Sequence, residues 1–123
     1  MIRLDVSGNN YDLGDKIVAY VNKKIGGLEK YLPRSAREGV HGRVTLVIDE
    51  SGREDNQCVC EAIINLPGAT LQSKEATRNM FAAVDIVEAK LKAQVHKYKD
   101  KHSPRQNRAK VFVSKLLRRS AEE

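Results

Sequence analysis

Between Met80 and Lys101 the chain reads MFAAVDIVEAKLKAQVHKYKDK, and its apolar residues return every three or four positions. Met80, Val84, Val87, Leu91, Val95 and Tyr98 therefore share one stripe of a helix, the face that seeks a core. Lys90, Lys97 and Lys101 stack beside that stripe, because steps of seven and eleven residues return to nearly the same helical angle. Lys92 and Lys99 line the opposite flank. Asp85 falls off the stripe and reads as an exposed residue or as the partner of a nearby lysine. Tyr98 ends the stripe and most simply packs in the core.

Upstream the pattern changes period. Ile2, Leu4 and Val6 alternate with Arg3, Asp5 and Ser7, a half-buried strand ended by Gly8-Asn9-Asn10. Leu13, Ile17, Tyr20, Val21, Leu28 and Leu32 form a drifting helical stripe, which predicts a helix from about Asp12 to Leu32 with Asp12 as its N-cap. Gly26-Gly27 weakens its last turns, and Pro33 closes it. A loop follows to Gly39. Residues 44–48 (VTLVI) are a strand core, Cys58 to Leu66 its hairpin partner, and Pro67-Gly68 the next turn. A third short strand spans Ala69 to Glu75, and Thr77 is the expected N-cap of the long helix. The order β-α-β-β-β-α predicts an α+β fold: a four-stranded, meandering antiparallel sheet with two helices packed on one face. That arrangement resembles double-stranded-RNA-binding folds.

Charge sharpens the picture. The chain is formally +6, yet residues 90–119 carry eleven Lys or Arg against the single acid Asp100, a local net of +10 that leaves −4 for the remainder. Such asymmetry points to a polyanionic partner, with RNA, DNA and an anionic membrane surface all open at this level. Lys16, Lys23 and Lys30 add a basic stripe on the first helix, which a solvated face explains as well as RNA contact does. Lys24 sits at the margin of the apolar stripe, where a merely solvated lysine is less expected.

Other chemistries are thinly supported. At 123 residues there is room for one core. No apolar run reaches the roughly 18–20 residues of a membrane span, and the alternating N-terminus lacks a signal-peptide block. Cys58 and Cys60 are the only cysteines; at i and i+2 of a strand they share a face and are poorly placed to bridge each other. A reduced, cytoplasmic setting is the natural inference. With His41, His96 and His102 they show no metal-ligand spacing, so no metal or other cofactor is expected. No nucleophile motif or phosphate-cradling glycine loop is present, and the chain is not expected to be an enzyme or to take a small-molecule substrate.

The run Met80-Phe81-Ala82-Ala83-Val84-Asp85, continued by Lys90-Leu91, Gln94 and Lys97-Tyr98-Lys99-Asp100-Lys101, resembles the signature of the ribosome hibernation promoting factors, a family that includes the ribosome-associated inhibitor A proteins. Ser7-Gly8-Asn9-Asn10 after the first strand, Lys24, Leu28, Glu29 and Tyr31 in the first helix, and the Leu66-Pro67-Gly68 turn are similar in the same order. The resemblance covers about residues 1–102, which makes 103–123 a separate basic tail, expected to be flexible. It implies a translation inhibitor that binds the small ribosomal subunit and its rRNA in the channel where mRNA and tRNA lie, competes with both, and keeps idle ribosomes inactive under stress. The rRNA-facing lysines expected on this basis are Lys23, Lys24, Lys90, Lys97, Lys99 and Lys101. One departure stands out: family members often carry Arg immediately before the helix-two Gln, where this chain has Ala93 beside Lys92. The alternative reading is a structured-RNA-binding module unconnected with the ribosome.

Overall fold

The computed structural model describes residues 2–53 and 56–102, with the side chains of 101 and 102 outside the description. The basic tail at 103–123 lies beyond the described residues, and so does its expected flexibility. Four strands, β1 (Arg3–Asn9), β2 (His41–Ile48), β3 (Cys58–Leu66) and β4 (Ala69–Thr77), form one sheet in that order. β2, β3 and β4 are successive antiparallel neighbours, as the hairpin signals predict. β1, however, pairs with β2 in parallel, from Arg3 opposite His41 to Asn9 opposite Val47, so the sheet is mixed and not an antiparallel meander throughout. The reason is connectivity: parallel neighbours need a crossover long enough to carry a helix, and residues 10–40 supply it.

That crossover departs from the single predicted helix. α1 runs only Asp15–Lys24, a 3₁₀ helix takes Gly26–Tyr31, and a one-turn α2 occupies Arg34–Arg37 where the sequence predicts a loop. Gly26-Gly27 is where the winding tightens. A 3₁₀ helix repeats every three residues, so Ile25, Leu28 and Tyr31 line up, with Ile25 and Leu28 fully buried. Asp12 does not cap α1; Gly14 occupies that position, with no side-chain cap, and Asp15 supplies the first-turn acid.

α3 spans Met80–His102. All six residues of its stripe are buried, together with Ala83. Its N-cap is Asn79 and not Thr77: the Asn79 side chain accepts from the Phe81 N–H at 2.8 Å, while the Asn79 carbonyl accepts from Ala83 N–H. Thr77 ends β4 and exchanges hydrogen bonds with the Asn79 backbone. The helices and one sheet face share a single core that includes Val21, Ile25, Val44, Leu46, Cys60, Ile64, Val87 and Leu91. Burial pushes the Cys60 thiol up to about 12, so at neutral pH it is a protonated core residue. Both cysteines are free.

Three polar ties fasten α3 along β4. Tyr98 Oη donates to the Pro67 carbonyl at 2.9 Å, Gln94 bonds both backbone groups of Gln72, and Lys90 Nζ pairs with Glu75. Within β2, Gly42 lets both neighbouring strands approach: a Cβ there would stand 2.8 Å from the Ile63 carbonyl of β3 and 3.0 Å from Leu4 Cδ2 of β1.

Two substitutions probe these contacts from opposite directions. Leu91→Ala opens a cavity and should cost about 2–5 kcal/mol. Gly42→Ala overfills the sheet and should cost about 1–3 kcal/mol. Urea unfolding should show lowered midpoints for both, with unchanged slopes. A Gly42→Ala protein as stable as its parent would mean that the Ile63 carbonyl and the Leu4 side chain both have room to retreat.

Candidate nucleic-acid interface

α1, the 3₁₀ helix and α3 bring most of the chain's described lysines together, and the acids around them divide these lysines into two groups. Lys24 is engaged. Its Nζ lies 3.7 Å from Glu88 and 4.0 Å from Asp85, and 5.6 Å from the centre of the Tyr20 ring. Tyr20 in turn donates to Asp85 and packs edge-on against Phe81 at 5.1 Å. Tyr20 and Lys24 of α1 thus meet Phe81, Asp85 and Glu88 of α3 in one latch, which accounts for Lys24 at the edge of the apolar stripe. Asp85 is exposed and partnered by a lysine, as its position off the stripe implied. The hydrogen bond to Asp85, burial and the nearby acids raise the Tyr20 pKa.

Lys90 is engaged as well, by Glu75 on β4. It therefore serves the same edge as Gln94 and Tyr98, and the stripe Lys90–Lys97–Lys101 is not uniform. Lys97 and Lys99 are exposed, as is Lys23, and none of the three has a carboxylate partner among the described residues. The Lys101 backbone belongs to α3; its side chain falls outside the description. Surface pairs such as Lys24–Glu88 contribute about 0–1 kcal/mol, weak enough for a phosphate to displace them.

The grouping that sequence reasoning missed lies between these sets. A cleft of about 200 Å³ is lined by Lys23, Lys24, Gly27, Leu28, Lys30, Tyr31 and Glu88. Lys30 Nζ is 5.1 Å from the centre of the Tyr31 ring, Lys92 Nζ of α3 is 4.8 Å from it, and the His96 ring is tilted against it at 5.5 Å. Hydrogen bonding from Lys92 is the main cause that lowers the Tyr31 pKa; burial opposes it, and Lys30 adds to it. The 3₁₀ pitch is what places Tyr31 here, one step beyond Ile25 and Leu28. A signal did exist: Lys92 is the flank lysine nearest the missing family arginine.

A second, larger concavity of about 580 Å³ lies at the start of the parallel pair, between Arg3, Asp5, Arg37 and His41. There Arg37 is occupied with the C-terminal carbonyls of the 3₁₀ segment, donating to Leu32 at 3.1 Å and Lys30 at 3.2 Å. Its charge serves the turn. Among the described residues no three His, Cys, Asp or Glu side chains gather as metal ligands, and no helix is long and apolar enough to cross a membrane.

The family model described as Sigma 54 modulation protein / S30EA ribosomal protein matches residues 4–103. The chain is similar to the ribosome hibernation promotion factor of Staphylococcus aureus (strain COL), at 30% identity over 119 residues covering 94% of this chain and 60% of that protein. It is also similar to the protein of the same name from Lactococcus lactis subsp. cremoris (strain MG1363), at 31% identity over 99 residues covering 80% and 50%. The chain thus spans between 50% and 60% of the length of these curated relatives. Among solved structures, the Thermus thermophilus Protein Y N-terminal domain is similar with a TM-score of 0.64 and 25% identity over 79% of this chain and 97% of that one. A ribosomal subunit interface protein from Coxiella burnetii shares the fold, with a TM-score of 0.64 and 22% identity over 80% of this chain and 98% of that one.

The two tyrosines on the helices should titrate in opposite directions. Followed by NMR, Tyr31 should ionise below the ordinary phenol value of about 10 and Tyr20 above it. Asp85→Asn should bring Tyr20 down. Because the folded-state pKa of Tyr20 is raised, its contribution to stability is whole below the unfolded value and is lost as pH climbs through the folded one. The reverse order of ionisation would mean that neither network persists in solution.

Proposed function

The chain belongs to the Sigma 54 modulation protein / S30EA ribosomal protein family, and from that premise we propose that it is a translation inhibitor of the small ribosomal subunit. On this reading it lies in the mRNA and tRNA channel against rRNA, excludes both ligands, and holds idle ribosomes inactive during stress or stationary phase in the cytoplasm. The observation that carries it is the meeting of Lys23 of α1 and Lys30 of the 3₁₀ helix at one cleft, with Lys92 of α3 against the Tyr31 ring that lines it. Ammonium groups spread across three elements around a concave surface suit the closely spaced phosphates of folded RNA. The names of the relatives support the same setting. Occlusion requires no catalytic residue, no cofactor and no small-molecule substrate.

Within the expected contact set, the structure supports a division of labour. Lys23, Lys97 and Lys99 offer exposed charge directly, while Lys24 and Lys90 must first leave a carboxylate.

Occlusion is checked by adding the protein to vacant small subunits and measuring later binding of initiator tRNA and mRNA. Both should fall, and simultaneous undiminished binding of all three would place the protein elsewhere. Affinity for the subunit should drop with salt by about 0.7–0.9 logarithmic units per decade for each phosphate neutralised. Equal affinity for an isolated RNA duplex would favour an RNA-binding module unconnected with the ribosome.

A further inference from the structure

Lys30 and Lys92 stand 62 residues apart in sequence and on different elements, yet both ammonium groups are drawn to one ring, at 5.1 and 4.8 Å from its centre. We propose that Lys30 and Lys92 form a clamp for a single phosphate of a nucleic-acid backbone, with Tyr31 as the positioning residue between them. This deepens the functional reading above and rests on it for the identity of the RNA, though not for the clamp itself.

Charge accounting singles out this pair. Lys24 and Lys90 carry carboxylate partners, whereas among the described residues Lys30 and Lys92 carry none. Glu88, the acid lining the same cleft as Lys30 and Tyr31, is already engaged by Lys24 at 3.7 Å. The cleft's uncompensated positive charge is therefore concentrated around Tyr31. A solvated lysine samples many rotamers and loses that freedom on binding a phosphate. Cation–π attraction to a shared ring narrows the search beforehand.

The phenol oxygen supplies the second part of the argument. Both ammonium groups lie close enough to lower its pKa, Lys92 with the larger influence. It is a neutral acceptor, and each ammonium has three protons to offer. An anionic phosphate oxygen at the same place makes charge-assisted bonds roughly twice as strong, so exchange of phenol for phosphate is favourable and needs only a small shift of two flexible side chains. His96 buttresses the ring from α3 at 5.5 Å and keeps it from following. A base-stacking role suits Tyr31 less well, because lysines already occupy the approach to its ring.

A clamp and two independent contacts give different salt dependences. Binding of the full chain to a short RNA duplex is measured across salt concentrations for Lys30→Gln, Lys92→Gln and the double variant. For a clamp, each single variant loses most of the effect, and the double variant lowers the salt slope by only about one phosphate, ~0.7–0.9. A double variant that lowers it by twice that amount, or not at all, overturns the proposal. Tyr31→Leu keeps both lysines but removes the ring that gathers them before the phosphate arrives, and should weaken binding by about tenfold; unchanged affinity with an unchanged thermal melt would remove Tyr31 from the scheme. Adding tripolyphosphate should move the NMR signal of the Tyr31 phenol carbon as the ammonium groups leave it, and a static signal would count against the exchange. The same variants assayed on vacant small subunits separate the two claims. Loss on the duplex with no parent binding to subunits would retire the ribosomal reading and keep the clamp.

Discussion

The backbone N–H and C=O of Gln72 point away from β3, at the open side of an edge strand, and the amide of Gln94 satisfies both. Its Oε1 accepts from the N–H at 3.1 Å and its Nε2 donates to the carbonyl at 2.8 Å, the same pair of bonds another strand would make. An unpaired edge invites further strands, and here a helix side chain closes it. The bond pair also fixes α3 along its axis. Tyr98 is one turn further on and reaches the β3–β4 turn; Lys90 is one turn back and reaches Glu75. With α3 held in that register, Phe81, Asp85 and Glu88 are delivered to Tyr20 and Lys24, while Lys92 and His96 are delivered to Tyr31.

This placement explains why a chain rich in lysine presents so little of it in the same way. Residues 90–119 hold a net +10 against −4 elsewhere, but some of the minority charge has been set where it counts. Asp85, Glu88 and Glu75 each hold a helix lysine in place. Lys24 and Lys90 thereby orient α1 and α3 against their neighbours, and the lysines without carboxylates are left to face solvent. A family signature rich in lysine is partly a packing signature.

Much of this is legible in the amino-acid order. The period of three to four in residues 80–98 marks the buried face of α3 residue by residue, because every position of that stripe fills the core. β3 keeps its predicted limits because turn chemistry bounds it on both sides, with Gly68 at φ 77° closing the Pro67-Gly68 turn. The first crossover is less legible. Period counting assumes one pitch, and a change from α to 3₁₀ winding at Gly26-Gly27 leaves hydrophobic spacing almost intact while rotating the residues beyond it. Ile25, four residues after Val21 and three before Leu28, keeps ordinary α-helical spacing, so the stripe gives no sign that the winding changes between them. Asn79 and Thr77 are both capping types, and only the end of β4 decides between them. The Tyr31 cluster joins residues more than sixty positions apart, and no local pattern encodes that distance.

The parallel pairing of β1 also bears on how the sheet assembles. Each β1 residue meets a partner 38 positions later, whereas β3 and β4 are separated by a two-residue turn and β2 and β3 by nine residues. Closing the longer loop costs about 1 kcal/mol more in chain entropy than closing the nine-residue one, since the cost grows as the logarithm of length. β2, β3 and β4 can gather from local contacts, but β1 gains nothing until the crossover has been laid down. The earliest of these four strands to be synthesised is thus the strand whose pairing must wait for residues 41–47, and until then Ile2, Leu4 and Val6 lack the surface that buries them.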